Sequence, residues 1–397
     1  MNKISSLFIV SCMICPVYAD TDHLDRVLSD GKVNLDFRYR YEYVDQNGLA
    51  EEAGASTLRS RISIVSGELS GWTAGLEADY IAVVGSERYN STENGRADYP
   101  VVADPEGFDL NQAYLRYRND AFTFTGGRQR ITHAHQRFLG GVAWRQNEQT
   151  YDAARFQSKI ANTGITLDYS YVWNVNRIFG PNDGAQPADW RSDSHIILAN
   201  WGIQEGHTVQ AFAYLLDFDN DNGLPNSAET YGLRYSGKFG RLGVNASYAT
   251  QSDYGNSPFD YKADYLSLGI SANLDEFQLS AGFEVLGSDD GLFGFRTPLA
   301  TLHKFQGWTD KFLITPATGM RDASLGVSRR LGKFKVALAY HEFEADVGGM
   351  DYGDEVNLVG TYAVSDGASL QFKYADYRAD EFATDTVKFW LTLHLTI

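Results

Sequence analysis

"VNLDFRYRYEYV", residues 33–44, separates into two chemistries by parity. Val33, Leu35, Phe37, Tyr39, Tyr41 and Tyr43 share one side of an extended chain, and Asn34, Asp36, Arg38, Arg40 and Glu42 share the other. Successive side chains of a strand point to opposite faces, so this stretch reads as a strand with one aromatic and one charged face. A soluble sandwich would bury the aromatic face. A transmembrane barrel would turn it to lipid and give the charged face to a watery lumen. The rest of the chain decides between these two.

The same alternation recurs. Trp72, Leu76 and Tyr80 oppose Glu77 and Asp79; Leu167, Tyr169, Tyr171 and Trp173 oppose Asp168 and Ser170; Phe277, Leu279 and Phe283 oppose Gln278, Ser280 and Glu284. Phe334, Val336, Leu338 and Tyr340 form another apolar parity, and Val387, Phe389, Leu391, Leu393 and Leu395 form the last. Such segments have the length of roughly ten residues that a tilted strand needs to cross a bilayer. Two stretches, around 194–201 and 207–216, are apolar on both parities and cannot be oriented from sequence. The connections also alternate in length. Short turns fall near Ser70-Gly71, Asn119-Asp120, Gly240-Arg241, Asp275-Glu276 and Gly332-Lys333, and long polar connections near 84–107, 131–150, 175–192 and 287–320. Over the whole chain this gives eight short and nine long connections, hence about 18 strands. Short turns on one side and long loops on the other are the transmembrane pattern, with the short side periplasmic. The expected fold is all-β: a transmembrane antiparallel β-barrel of about 18 strands occupying residues 20–397.

Bulk chemistry agrees. The 397 residues include 24 Tyr, 23 Phe and 7 Trp, an aromatic load suited to the girdles of such barrels. With 34 Lys+Arg against 51 Asp+Glu the net charge is -17, which argues against a nucleic-acid partner. Lys3, the apolar run from Ile4 to Val17 and the ending Val17-Tyr18-Ala19 read as a secretory signal over residues 1–19. Both cysteines, Cys12 and Cys15, lie within it, so the remaining chain needs no disulfide. The expected location is the bacterial outer membrane, with its lipid as partner.

Two blocks resemble a known family. "GGRQRITHAHQRFLGGVAWRQNEQTYDAARF" (126–156) and "FRTPLATLHKFQGWTDKFLITPATG" (295–319) are similar to the alginate export family of outer-membrane proteins, through Gly127, Arg128, Gln129, Trp144, Arg145, Gln146 and Asp152 in the first and Thr297, Pro298, Phe305, Gly307, Trp308, Asp310 and Lys311 in the second. The resemblance implies an 18-stranded barrel with an arginine-rich pore that passes anionic polysaccharide or oligosaccharide of alginate-like uronates.

The presumed lumen parity carries Arg38, Arg40, Arg59, Arg61, Arg116, Arg118, Arg128, Arg130 and Arg155, an arc on the first strands, with Arg234 and Arg330 further on. Guanidinium is always charged and grips carboxylates at two points, so a row of them would attract polyanions and favour anions in the pore. The alternative is an internal ion-pair lattice with Asp36, Glu42, Glu77, Asp79 and Asp168. The long connections are candidates for an inward constriction, with Arg137, Trp144, Arg145, Trp308 and Lys311 as the residues placed to meet a sugar acid. His133 and His135 lack the neighbours of a metal site, and "DFDNDNG" (217–223) departs from a calcium loop. No catalytic grouping such as G-x-S-x-G occurs, so a channel without cofactor, rather than an enzyme, is expected. A general or sugar-specific uptake porin indifferent to uronates is the other channel reading. Neither the direction of transport nor any periplasmic partner follows from a passive tube.

Overall fold

The computed structural model describes residues 29–397. The expected leader at 1–19 lies outside the described residues. The strands run β1 (Lys32–Gln46), β2 (Ala53–Val65), β3 (Trp72–Val83), β4 (Gly107–Arg118), β5 (Phe122–Gln129), β6 (Thr150–Ile160), β7 (Ile165–Asn176), β8 (Asp189–Gln204), β9 (His207–Leu216), β10 (Ala228–Phe239), β11 (Leu242–Asp253), β12 (Lys262–Leu274) and β13 (Phe277–Leu286). A two-residue ribbon, β14 (Ser288–Asp289) with β15 (Phe293–Gly294), sits in the following loop. Then come β16 (Met320–Leu331), β17 (Phe334–Glu344), β18 (Asp351–Ser365), β19 (Ala368–Arg378) and β20 (Thr386–Thr396).

Apart from the ribbon, each strand pairs antiparallel with its sequence neighbours, and β20 returns to β1 from Asp36↔Thr396 to Gln46↔Thr386. The result is one closed 18-stranded sheet. Closure is obligatory in lipid, where each unpaired backbone group would cost several kcal/mol. The short turns use the left-handed backbone that a tight reversal demands: Gly240 and Gly332 sit at φ 60, and Asp275 takes φ 43 in the one between β12 and β13.

The apolar parity faces outward all round. Ile62, Leu76, Leu115, Trp173, Leu233, Leu268, Leu325, Leu338 and Leu393 are all exposed on the barrel exterior. The charged parity of residues 33–44 is buried, with Glu42 and Arg40 both inside. So the opening stretch shows its aromatic face to lipid. At the extracellular end the outer wall turns polar. The Tyr80 hydroxyl donates to Glu106 at 3.2 Å and that of Tyr231 to Glu229 at 3.0 Å, which marks the change from hydrocarbon to headgroup chemistry.

Long connections fold inward and give the barrel a second, internal core. Leu139, Phe295 and Leu299 pack there with Ile196, Leu198, Phe212, Tyr214 and Tyr265 of the wall. Phe138 stands 4.9 Å from Phe212 and 5.1 Å from Tyr265, centroid to centroid. This explains the stretches with two apolar faces. Ile197 and Trp201 meet lipid, while Ile196 and Leu198 meet the inward loop.

Candidate permeation site

Three loops enter the lumen, at 84–106, 130–149 and 287–319, between β3 and β4, β5 and β6, and β13 and β16. The last two are joined backbone to backbone. The Gly140 N–H donates to the Leu299 carbonyl at 2.8 Å and the Thr301 N–H to that of Gln136 at 3.0 Å. Together they form one internal plug.

The plug rests on the arginine-rich wall. Arg145 donates to Glu42 at 2.8 Å and to Asp104 at 3.4 Å. Arg38 holds the carbonyl of Ala143 at 2.9 Å and the Gln146 side chain at 3.0 Å, and Arg40 holds the Trp144 carbonyl at 2.5 Å. Arg137 reaches across to Glu284 at 2.7 Å and Thr297 at 3.0 Å. Glu355 receives the backbone N–H groups of Trp308 and, at 3.1 Å, Thr309. Against the burial that would raise it, Lys388 and His303 hold the Asp310 carboxyl well below the usual carboxylate range; both contacts are 2.8 Å. Trp144 stacks on His303 with centroids 3.4 Å apart, and the Lys373 ammonium lies 4.1 Å from the Trp308 ring centre. Lys311 keeps part of its surface, but burial and the nearby Lys388 pull its ammonium down to about 8.

The arc is therefore largely neutralised. Arg59 pairs with Asp36. Arg61 meets Asp79 at 2.5 Å, Glu148 at 2.9 Å and Glu77 at 3.4 Å. Arg130 grips Glu148 at 2.8 Å and Glu77 at 3.2 Å, and Arg155 donates to Asp168 at 2.9 Å. Among the described residues Arg38 and Arg116 have no carboxylate within salt-bridge distance; Arg116 donates to Thr125 at 3.2 Å. Two expected pore residues are corrected. Arg128 lies off the inward row, because Arg116 pairs with Thr125 and Arg155 with Thr125, which makes the odd positions of β5 face the lumen; Arg128 instead pairs across to Asp152 at 2.7 Å. Arg118 sits at the periplasmic turn, 3.1 Å from Glu68, with its side chain 67% exposed, so it belongs to the rim. The constriction candidates Arg137 and Arg145 are fully engaged pins of the plug rather than free contact groups. His133 and His135 diverge: His133 meets the Tyr214 hydroxyl at 3.1 Å, and His135 stands edge-on to Phe305.

The opposite wall carries a tile of small side chains. Ser267, Gly269 and Ser271 of β12 lie beside Ser280 and Gly282 of β13, which lie beside Ser324 and Gly326 of β16. A cavity of about 300 Å³ runs along this tile, bounded on the plug side by His135, Lys304 and Phe305. Sequence reasoning missed this surface. Its signal was the small lumen parity, with Ser267, Gly269 and Ser271 alternating with Leu266, Leu268 and Ile270.

A closed barrel with a loop-filled lumen is porin architecture, and the sequence model described as Gram-negative porin matches residues 17–381. The chain belongs to the Gram-negative porin family. It is an outer-membrane channel and not an enzyme. No curated protein matches it. Among solved structures the porin is similar to Pseudomonas aeruginosa OpdK, described with vanillate (TM-score 0.72, 13% identity, covering 94% of this chain and 99% of that one). It is also similar to Pseudomonas aeruginosa OccD3 (OpdP) (0.70, 13%, 94% and 92%) and to Acinetobacter baumannii OccAB4 (0.69, 15%, 92% and 98%). These likenesses concern the fold. They support a porin without singling out the alginate export family.

Proposed function

We propose that this porin admits small hydrophilic solutes, anionic ones preferentially, along its Ser/Gly wall, and does not conduct a polysaccharide. The observation that carries this reading is the plug. Loops 130–149 and 287–319, tied to each other and to carboxylates on several strands, leave a cavity of about 300 Å³. That is near the lower end of the roughly 300–1,000 Å³ typical of small-molecule sites. A polymer thread would need a continuous wider bore. OpdK, which shares the fold, is described with vanillate, a small solute. The anionic preference rests on the cations beside that wall which lack a carboxylate partner among the described residues, Lys304 and Arg234, since selectivity follows the local field of the lumen rather than the net charge of -17. Uronates are the sharper form of this reading, as monomers or short oligomers. Purified protein in proteoliposomes tests it. Galacturonate should enter faster than glucose, and polymeric uronate should stay out. Passage of the polymer would overturn the reading.

A further inference from the structure

Among the described residues most charged groups inside the barrel have opposite partners; Arg234 and Lys304, beside the open cavity, do not. Arg234 points inward from β10, in register with Gln210 and Ser247. Its Nη1 donates to the Gln210 side-chain oxygen at 3.1 Å, and its Nε is buried without a partner. Lys304, from the 287–319 loop, donates to the His135 carbonyl at 2.9 Å. Among the described residues neither cation has a carboxylate within salt-bridge distance. The anions nearby are engaged: Glu284 takes Arg137 at 2.7 Å and Tyr265 at 2.5 Å, and Asp322 takes His341 at 2.9 Å.

His135 is near both cations. It borders the 300 Å³ cavity together with Lys304, and a second void of about 10 Å³ together with Arg234. The second void has room for about one water-sized group. Burial and then the charges of Arg234, Arg137 and Lys304 pull its imidazole down to about 3, so it is neutral at ordinary pH and adds no charge of its own. Its Nδ1 is buried and unpartnered. The ring of Phe305 and the serines of the tile complete the surroundings.

We propose that Arg234 and Lys304 form a binding station for the carboxylate of a small hydroxylated organic acid. The guanidinium offers a planar fork and the ammonium a point charge. Phe305 gives the ligand body an apolar face, and the serine hydroxyls accept or donate to its hydroxyls. The station stands on the opposite side from the arginine arc. It rests on the reading of the chain as a small-solute porin.

The test is current blockade of the purified porin in planar bilayers, with galacturonate as probe and glucose as the neutral control. Galacturonate should interrupt the wild-type current at concentrations where glucose does not. Hydrogen bonds to charged groups are each worth enough that Arg234→Gln with Lys304→Gln should weaken blockade by about tenfold to a hundredfold. Lys304→Gln alone keeps a hydrogen bond to the His135 carbonyl and should weaken it about tenfold or less, which serves if the double variant does not assemble. Equal blockade of wild type and Lys304→Gln would overturn the station. So would a wild-type pore that conducts galacturonate and glucose alike; that result leaves the small-solute porin standing. A pore that passes polymeric uronate would remove the small-solute reading itself.

Discussion

The two sides of the lumen are built on opposite principles. From β1 to β7 the inner wall is crowded with guanidinium and carboxylate groups, and almost all of them pair with each other or with the plug. From β11 to β16 the inner wall carries a tile of Ser, Gly and Asn, its carboxylates Glu284 and Asp322 already held by Arg137 and His341, and the space in front of the tile stays open. A dense charge lattice in a barrel is thus not the same as a charged pathway. Ions that are already paired hold the plug in place, and small neutral side chains decide where water and solute can pass. A few free cations at the edge of the open side then give that path its sign.

The plug itself gives the largest test of this division. Replacing residues 132–148 by a short Gly-Ser linker should raise single-channel conductance several-fold and blunt solute discrimination, because the lattice side would lose its cover. An unchanged conductance in planar bilayers would mean that the open path never passed the plug.

A pair of substitutions compares the two walls directly. Arg145→Met leaves Glu42 buried without its cation and Asp104 with Arg40 alone, a loss of about 3–5 kcal/mol in typical buried pairs. Ser324→Ala on the other wall should stay within about 0.5 kcal/mol. Thermal unfolding in detergent reads both, and equal effects would erase the contrast. For conductance the order reverses. Ser280→Tyr puts a ring into the 300 Å³ cavity and should lower conductance by at least about twofold. Arg155→Gln, whose partner is Asp168, should barely alter it.

The smallest expected effect is in pH. Lys311 has its ammonium pulled down to about 8 from an ordinary value of 10.5, so the folded porin releases that proton earlier than the unfolded chain. Between about pH 8 and 10 the unfolded chain holds more protons at this site, and stability gains a little as pH rises. Over the same rise the lumen loses one positive charge, so anion preference should fall slightly through pH 8. Lys311→Met should remove that step from reversal potentials measured in a salt gradient. A step that persists in Lys311→Met belongs to another group.

By itself the sequence determined the barrel. Strand parity is a local property: Phe37 and Arg38 must face opposite ways whatever the rest of the chain does. The alternation of short turns such as Gly240-Arg241 with long loops such as 287–319 gave the strand count and the sidedness, because closure by hairpins leaves no other arrangement. What it could not determine was which lumen charges remain free. That depends on partners far apart in the chain, such as Arg145 with Glu42 or Arg137 with Glu284, which only the inward fold of the loops brings together. The same folding turned Ile196 and Leu198 from an ambiguous apolar run into the seat of the plug. Register also had to be seen rather than read. A hairpin that pairs Arg116 with Thr125 moves Arg128 off the inward row, and a shift of one residue reverses the face of every side chain in a strand.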